Sequence, residues 1–308
     1  MLKPFVNTEF DRLQVVILGI SNDFGGCPTI DEAYDPKSKE HILNGKFPLE
    51  KDLKSDLNQL SEVFKKYDIK TFRPLNIFAC NQVFSRDIGF VIDNKFFIAN
   101  TIDKRRNEIQ GLEFVLKNIS SNNIQSIPEN IFIEGGDVLV LKNHLFVGFS
   151  NDADFEKYEV SRTNRLAIDF LKDKFPDKNI LGFQLKKSDN NPSLNCLHLD
   201  CCFQPLGLGH LILYPDGFKL KSDLTKIIKI FGESNIIEIT QNEMYNMYSN
   251  VFSISKDIVV SDIKFKRLNN LLVQKGYKVE EVSFSEVSKM GGLFRCSTLP
   301  IIRQNHYE

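Results

Sequence analysis

The sequence predicts a closed ring of five α/β blades, and three observations carry that expectation. A strand-turn-strand pattern recurs along the 308 residues, amphipathic helical stretches fall between the recurrences, and no Gly/Ser/Pro-rich linker divides the chain. Five strand-helix units of roughly 60 residues each suit a ring of blades better than two separate domains. One domain over residues 1–308 is therefore expected.

Each unit has its own signals. The opening run LQVVILGI supplies one strand, and Leu53, Leu57, Leu60, Phe64 and Tyr67 follow at helical spacing on one face. IGFVIDNKFFIAN turns at Asp93 and Asn94, DVLVLKNHLFVGFS at Lys142 and Asn143, and NVFSISKDIVVSD at Lys256 and Asp257. LDCCFQPLGLGHLILYPDGF turns between Gly207 and Gly209. Further helices are expected at RTNRLAIDFLKDKF, at SDLTKIIKIFGE with Ser222 or Asp223 as cap, and at KFKRLNNLLVQKG, stopped by Gly276.

A 42% hydrophobic content with 26 Phe is ample for a core. The formal charge of −1, with 39 basic residues spread along the chain, argues against nucleic acid and against an anionic membrane surface. MLKPFVNTEFDRLQ has no signal-peptide core, and no run approaches the roughly 18 apolar residues of a membrane span. A cytoplasmic protein with a small-molecule partner is expected, and a homodimer is left open. Six cysteines (Cys27, Cys80, Cys196, Cys201, Cys202, Cys296) are too sparse for a disulfide scaffold and read as thiols, most of them buried.

Polar residues stand at the entry to the strand pairs. Asp87 in FSRDIGFVI, Glu134 in FIEGGDVLV and His198 in CLHLDCCF precede hairpins, and Cys296 in GGLFRCSTLPII precedes the last strand. Singly, these read as a surface pair, a turn, a structural histidine and a core thiol. At equivalent positions of a ring they would meet at one mouth of its axis.

A metal site is the rival reading of the histidine segment, because Cys196, His198, Asp200 and Cys202 would share one face of a strand. Alternate strand residues are about 6.6 Å apart, so four in a row span nearly 20 Å, too far for ligands of one ion. No metal and no cofactor is expected. Without metal, carboxylates can grip a planar guanidinium, a thiolate can attack its central carbon, and histidine can move the protons. Gly291 and Gly292 would let the backbone approach such a ligand.

These residues resemble the guanidine-modifying enzymes, or penteins, which share a five-bladed α/β propeller and include arginine deiminases, dimethylarginine hydrolases and glycine amidinotransferases. The resemblance runs along the chain through NTEFDRLQVVILG, FSRD, EGGDVLV, HLD and GG followed by RCSTLPIIR. It implies that Cys296 is a nucleophile forming a thiouronium-type intermediate, with His198 as general acid and then base. Glu134, Asp87 and Asp200 would bind the guanidinium or orient the histidine. Arg105 and Arg165, with Arg106, Arg162 and Arg295 behind them, are candidates to hold a substrate carboxylate.

The HLD form is similar to deiminases and amidinotransferases rather than to dimethylarginine hydrolases, which usually lack that aspartate. EGGD and RCSTLPIIR look like deiminases, whereas GKFPLEKDLKSDLNQLSEVFKKYDIKTFRP and SRDIGFVIDNKFFIANTIDKRRNE look more like amidinotransferases. A hydrolase of arginine or an arginine-like guanidine is the leading expectation. The alternatives are an amidinotransferase, a non-catalytic propeller like the ribosome anti-association factors, and a cysteine protease, in which Asp87 and Glu134 would have no role.

Overall fold

The computed structural model describes residues 1–304 and builds five three-stranded sheets. Strands β1 (Leu13–Leu18) and β2 (Lys70–Phe72) run parallel and begin the first sheet. The next are β3 (Gly89–Ile92), β4 (Lys95–Ile98) and β5 (Ile124–Gln125), then β6 (Val138–Leu141), β7 (His144–Phe149) and β8 (Asn179–Gln184). They are followed by β9 (Phe203–Pro205), β10 (Leu211–Leu213) and β11 (Ile236–Glu238), then β12 (Phe252–Ser253), β13 (Ile258–Asp262) and β14 (Lys278–Val282). β15 (Thr298–Arg303) returns to pair antiparallel with β1 and completes the first sheet.

Every sheet repeats one rule: an entry strand pairs antiparallel with a middle strand, which pairs parallel with a third. A parallel neighbour needs a crossover. The helices Glu50–Lys66, Leu166–Lys174, Lys221–Phe231 and Lys266–Gln274 supply four of them. The arrangement is a five-bladed α/β propeller of the pentein type, closed by pairing the two ends of the chain. LQVVILGI is thus a middle strand whose entry partner lies at the far end of the sequence.

Local chemistry explains the elements. Asp93 and Lys142 take positive φ of 48° and 51°, which the tight hairpins β3–β4 and β6–β7 require. Helix Glu50–Lys66 buries Leu53, Leu57, Leu60 and Phe64, with Glu50 and Asp52 in its first turn and Lys65 and Lys66 in its last. Helix Lys221–Phe231 departs from expectation: Leu220 stands at its cap, and Asp223 lies in the first turn paired with Lys226 at 2.8 Å. Helix Lys266–Gln274 ends as expected before Gly276, at φ 92°. Among the described residues no helix is long and apolar enough to cross a membrane.

Phenylalanines cement neighbouring blades. Phe146 on β7 packs against Phe203 on β9 with centroids 4.9 Å apart, and against Phe183 and Phe231 at 6.0 and 5.9 Å. Phe146→Ala is expected to cost about 3–5 kcal/mol. Urea titration followed by circular dichroism measures it, as a lower midpoint with unchanged slope.

Candidate active site

The leading ends of the entry strands bring the polar residues together. Asp87 lies two residues ahead of β3 and Cys296 two ahead of β15, while single 3-10 turns separate Glu134 from β6 and His198 from β9. The segment 196–202 is not the strand that parity suggested. Leu199–Cys201 is a 3-10 turn, because Asp137 Oδ1 accepts the Leu199 N–H at 2.8 Å and folds the chain there.

Around this turn the side chains interlock. His198 Nε2 meets Glu134 Oε2 at 2.9 Å, and its Nδ1 stands 3.7 Å from Asp87 Oδ1. Gly136 makes room: a Cβ there would lie 2.6 Å from the His198 ring and 2.9 Å from Asp87 Oδ1. Arg105 Nη1 donates to Asp87 Oδ2 at 2.6 Å, and its Nε and Nη2 fork onto Glu108, each at 2.8 Å. Arg162 Nη1 stands 3.9 Å from Glu134 Oε1 and its Nη2 donates to the Tyr34 carbonyl at 2.6 Å.

On the other side, Cys296 Sγ lies 3.7 Å from Asp200 Oδ2, and Asn250 Nδ2 donates to the same sulfur at 3.2 Å. Arg295 holds Asp200 Oδ2 at 2.8 Å and Glu9 at 3.1 and 3.2 Å. The two glycines ahead of Cys296 have structural reasons. Gly291 has φ 82°, and a Cβ on Gly292 would lie 2.4 Å from the Phe84 ring and 2.9 Å from Cys296 Cβ.

The structure therefore brings Asp87, Glu134, His198, Asp200, Arg105 and Cys296 into one buried cluster, none more than 3% exposed. It does not bring Arg165, which is exposed at the start of helix Leu166–Lys174. Arg162, in the same SRTNR stretch, is the arginine beside Glu134. Asn250 was not among the sequence candidates, yet it lies two residues ahead of β12, at the same entry position as Asp87 and Cys296. A cavity of about 420 Å³ adjoins the cluster, bordered by Tyr34, Asp35, Cys80, Asn81, Lys104 and Glu108.

Buried carboxylates and arginines together set the charge states here. Burial would push the Glu134 carboxyl up, but the hydrogen bond with His198 and the charges of Arg162 and Arg105 hold it below the usual range. Burial would lower His198, and Asp87, Glu134 and Asp137 overcome it and raise the imidazole to about 9. Burial first, then Asp200 and Asp87, push the Cys296 thiol well above its ordinary value. Donor atoms of Asp87, Glu134 and His198 all lie within 4.8 Å of one another, close enough to ligate an ion. Arg105 Nη1, 2.6 Å from Asp87 and 3.5 Å from Glu134, already brings positive charge to both carboxylates and opposes a second, divalent cation.

A pH dependence of stability follows. His198 is raised from 6.5 to about 9 by folding, so its contribution is complete below its unfolded value and is lost as pH rises through about 9. Wild-type protein is expected to lose more unfolding free energy than His198→Gln between about pH 6 and pH 10, measured by urea titration.

The family model described as N,N dimethylarginine dimethylhydrolase, eukaryotic, matches residues 68–303. The chain belongs to the dimethylarginine dimethylhydrolase family. The match runs from the last residues before β2 to the end of β15, so it takes in all five entry strands of this family member. YkgA of Bacillus subtilis, an uncharacterized protein, is 28% identical over 98% of this chain and 96% of its own length. An arginine deiminase of Listeria monocytogenes is 26% identical over 73% of this chain and 62% of its own length. The chain thus spans less than two thirds of that deiminase. Two solved structures share the fold at 18% identity. The N-terminal domain of ArgZ, a cyanobacterial arginine dihydrolase, has a TM-score of 0.77 over 94% of this chain and 98% of its own. SxtG, an amidinotransferase of Microseira wollei, has 0.79 over 99% of both. The likenesses to an arginine deiminase in sequence and to an amidinotransferase in fold stand beside the dimethylarginine family match.

Proposed function

We propose that this protein is a cysteine hydrolase of the guanidinium group of arginine or an arginine-like substrate, working through a covalent intermediate on Cys296. One observation carries the reading: Asp87 Oδ1, Glu134 Oε1 and His198 Nδ1 are each buried without a hydrogen-bond partner, on three residues whose donor atoms come within 4.8 Å of one another. Two unpaired carboxylate oxygens call for a donor-rich planar cation, and a guanidinium offers five N–H groups in that geometry.

With the cation held there, its charge offsets Asp200 and Asp87, and the Cys296 thiol gives up its proton to solvent at lower cost, leaving the thiolate. The thiolate attacks the central carbon, and His198, protonated at neutral pH, gives its proton to the departing nitrogen as the C–N bond breaks. Water then attacks the amidino carbon, His198 takes the water proton, and the C–S bond breaks to release a ureido product. Arg105, whose donors are taken by Glu108, Asp87 and the Phe84 carbonyl, positions Asp87. Arg162, whose Nε has no partner, is the guanidinium left to take a substrate carboxylate, in place of the exposed Arg165.

Transfer to an amine is the second reading, favoured by the near-complete superposition with the amidinotransferase SxtG. The family model and the deiminase likeness, whose names describe hydrolases, weight the proposal toward water. The test is incubation with arginine, methylated arginines, agmatine and guanidino acids in oxygen-18 water, with and without ornithine or glycine. Label in a ureido product supports hydrolysis. Unlabelled product formed only with an added amine replaces it with transfer.

A further inference from the structure

Four of the five entry strands are preceded by residues with a role in the proposed reaction. The fifth, β12, is preceded by Asn250, which is fully buried. Its Oδ1 accepts the backbone N–H of Cys296 at 3.1 Å and of Leu293 at 3.2 Å, and its backbone carbonyl accepts the Arg295 N–H at 3.3 Å. These contacts fix the amide's orientation. Exchanging its nitrogen and oxygen would face an NH2 group against two N–H donors, so Nδ2 must point where it does, at Cys296 Sγ, 3.2 Å away.

The sulfur's surroundings give that contact its meaning. Asp200 Oδ2 is 3.7 Å from Sγ, and a carboxylate opposes negative charge on sulfur. The Asn250 side-chain N–H, 3.2 Å away, favours it, alongside the backbone N–H of Leu293. We infer that Asn250 is a catalytic residue: its amide N–H stabilises the Cys296 thiolate while its carbonyl oxygen holds the nucleophile's loop. This rests on the reading of Cys296 as nucleophile.

The donor acts twice in the reaction. In the first step a sulfur electron pair forms the C–S bond, the C–N pair leaves with nitrogen, and nitrogen takes the His198 proton. In the second, the C–S pair returns to sulfur as water's oxygen stays on carbon, and the Asn250 N–H receives the re-formed thiolate. It therefore aids both attack and departure.

The test measures the thiolate without turnover. Cys296 is alkylated with 2-chloroacetamidine across a pH series, and the rate is read at the Cys296 peptide by mass spectrometry. Asn250→Asp keeps an oxygen for the two backbone N–H groups, which hold the new carboxylate ionised, but replaces the donor with a negative acceptor. Its midpoint is expected to rise by at least about one pH unit, a roughly tenfold slower reaction at neutral pH. Asn250→Ala, which loses donor and clamp together, is expected to show a smaller rise and decides the matter if the aspartate variant does not fold. An Asn250→Asp midpoint equal to wild type, or in its absence an unshifted Asn250→Ala midpoint, overturns the inference. A wild-type Cys296 no more reactive than the other thiols overturns both this inference and the proposed function.

Discussion

Replacing Cys296 with Ser lowers turnover of the guanidino substrate by at least about a thousandfold while leaving the fold in place. The hydroxyl is nearly isosteric with the thiol, so both hydrogen-bond neighbours, Asn250 and Asp200, keep their positions. What is lost is nucleophilicity. A serine hydroxyl ionises far less readily than a thiol, and in this cluster His198 is held protonated and cannot serve as its base. Cys27→Ser is the matched control, since Cys27 is exposed at the border of the adjoining cavity and outside the buried cluster; its turnover is expected to stay close to wild type. A product assay with both variants at equal folded concentration reads the contrast, and comparable residual activity in Cys296→Ser contradicts the assignment.

Arg295→Ala is the most destabilising substitution expected in the site. Arg295 is fully buried and ties three parts of the ring through Glu9, Asp200 and the carbonyl of Val138. Removing it leaves two buried carboxylates without their partner, a loss of about 3–5 kcal/mol. Burial pushes Glu9 up, and Arg295, with Arg86 and Arg303, pulls it down to about 2, so the carboxylate is ionised in the intact protein and is shifted back up when Arg295 is lost. The variant is expected to regain stability on acidification relative to wild type. Urea titrations at neutral and acid pH test this, and a loss below about 1 kcal/mol would show that Arg295 is not a keystone.

The ring was legible because each hairpin carries its own turn residues and β-rich flanks, signals that are local. The pairing of β1 with β15 joins opposite ends of the chain and leaves no local trace. The segment around His198 misled for the opposite reason: CLHLDCCF has strand composition, but the remote Asp137 carboxylate bends it into a turn. Asp87, Glu134, His198, Asp200 and Cys296 stood out because their side chains ionise. Asn250 occupies the same entry position with an amide that draws no notice, although the repeat that located the others would have located it. Arg162 and Arg165 are three residues apart, and only the bridge between Ser150 and Asn164, with the helix that starts just beyond it, turns one inward and the other out.

The central claim is that Cys296 carries the amidino group of its substrate between two half-reactions. Rapid acid quench after mixing with arginine labelled at the guanidino carbon, followed by proteolysis and mass spectrometry, tests it most directly. The account predicts label on the peptide bearing Cys296 within the first turnover, absent from Cys296→Ser and decaying as product accumulates. Product formation in the wild type with no labelled Cys296 peptide at any quench time, or label on another cysteine, contradicts it.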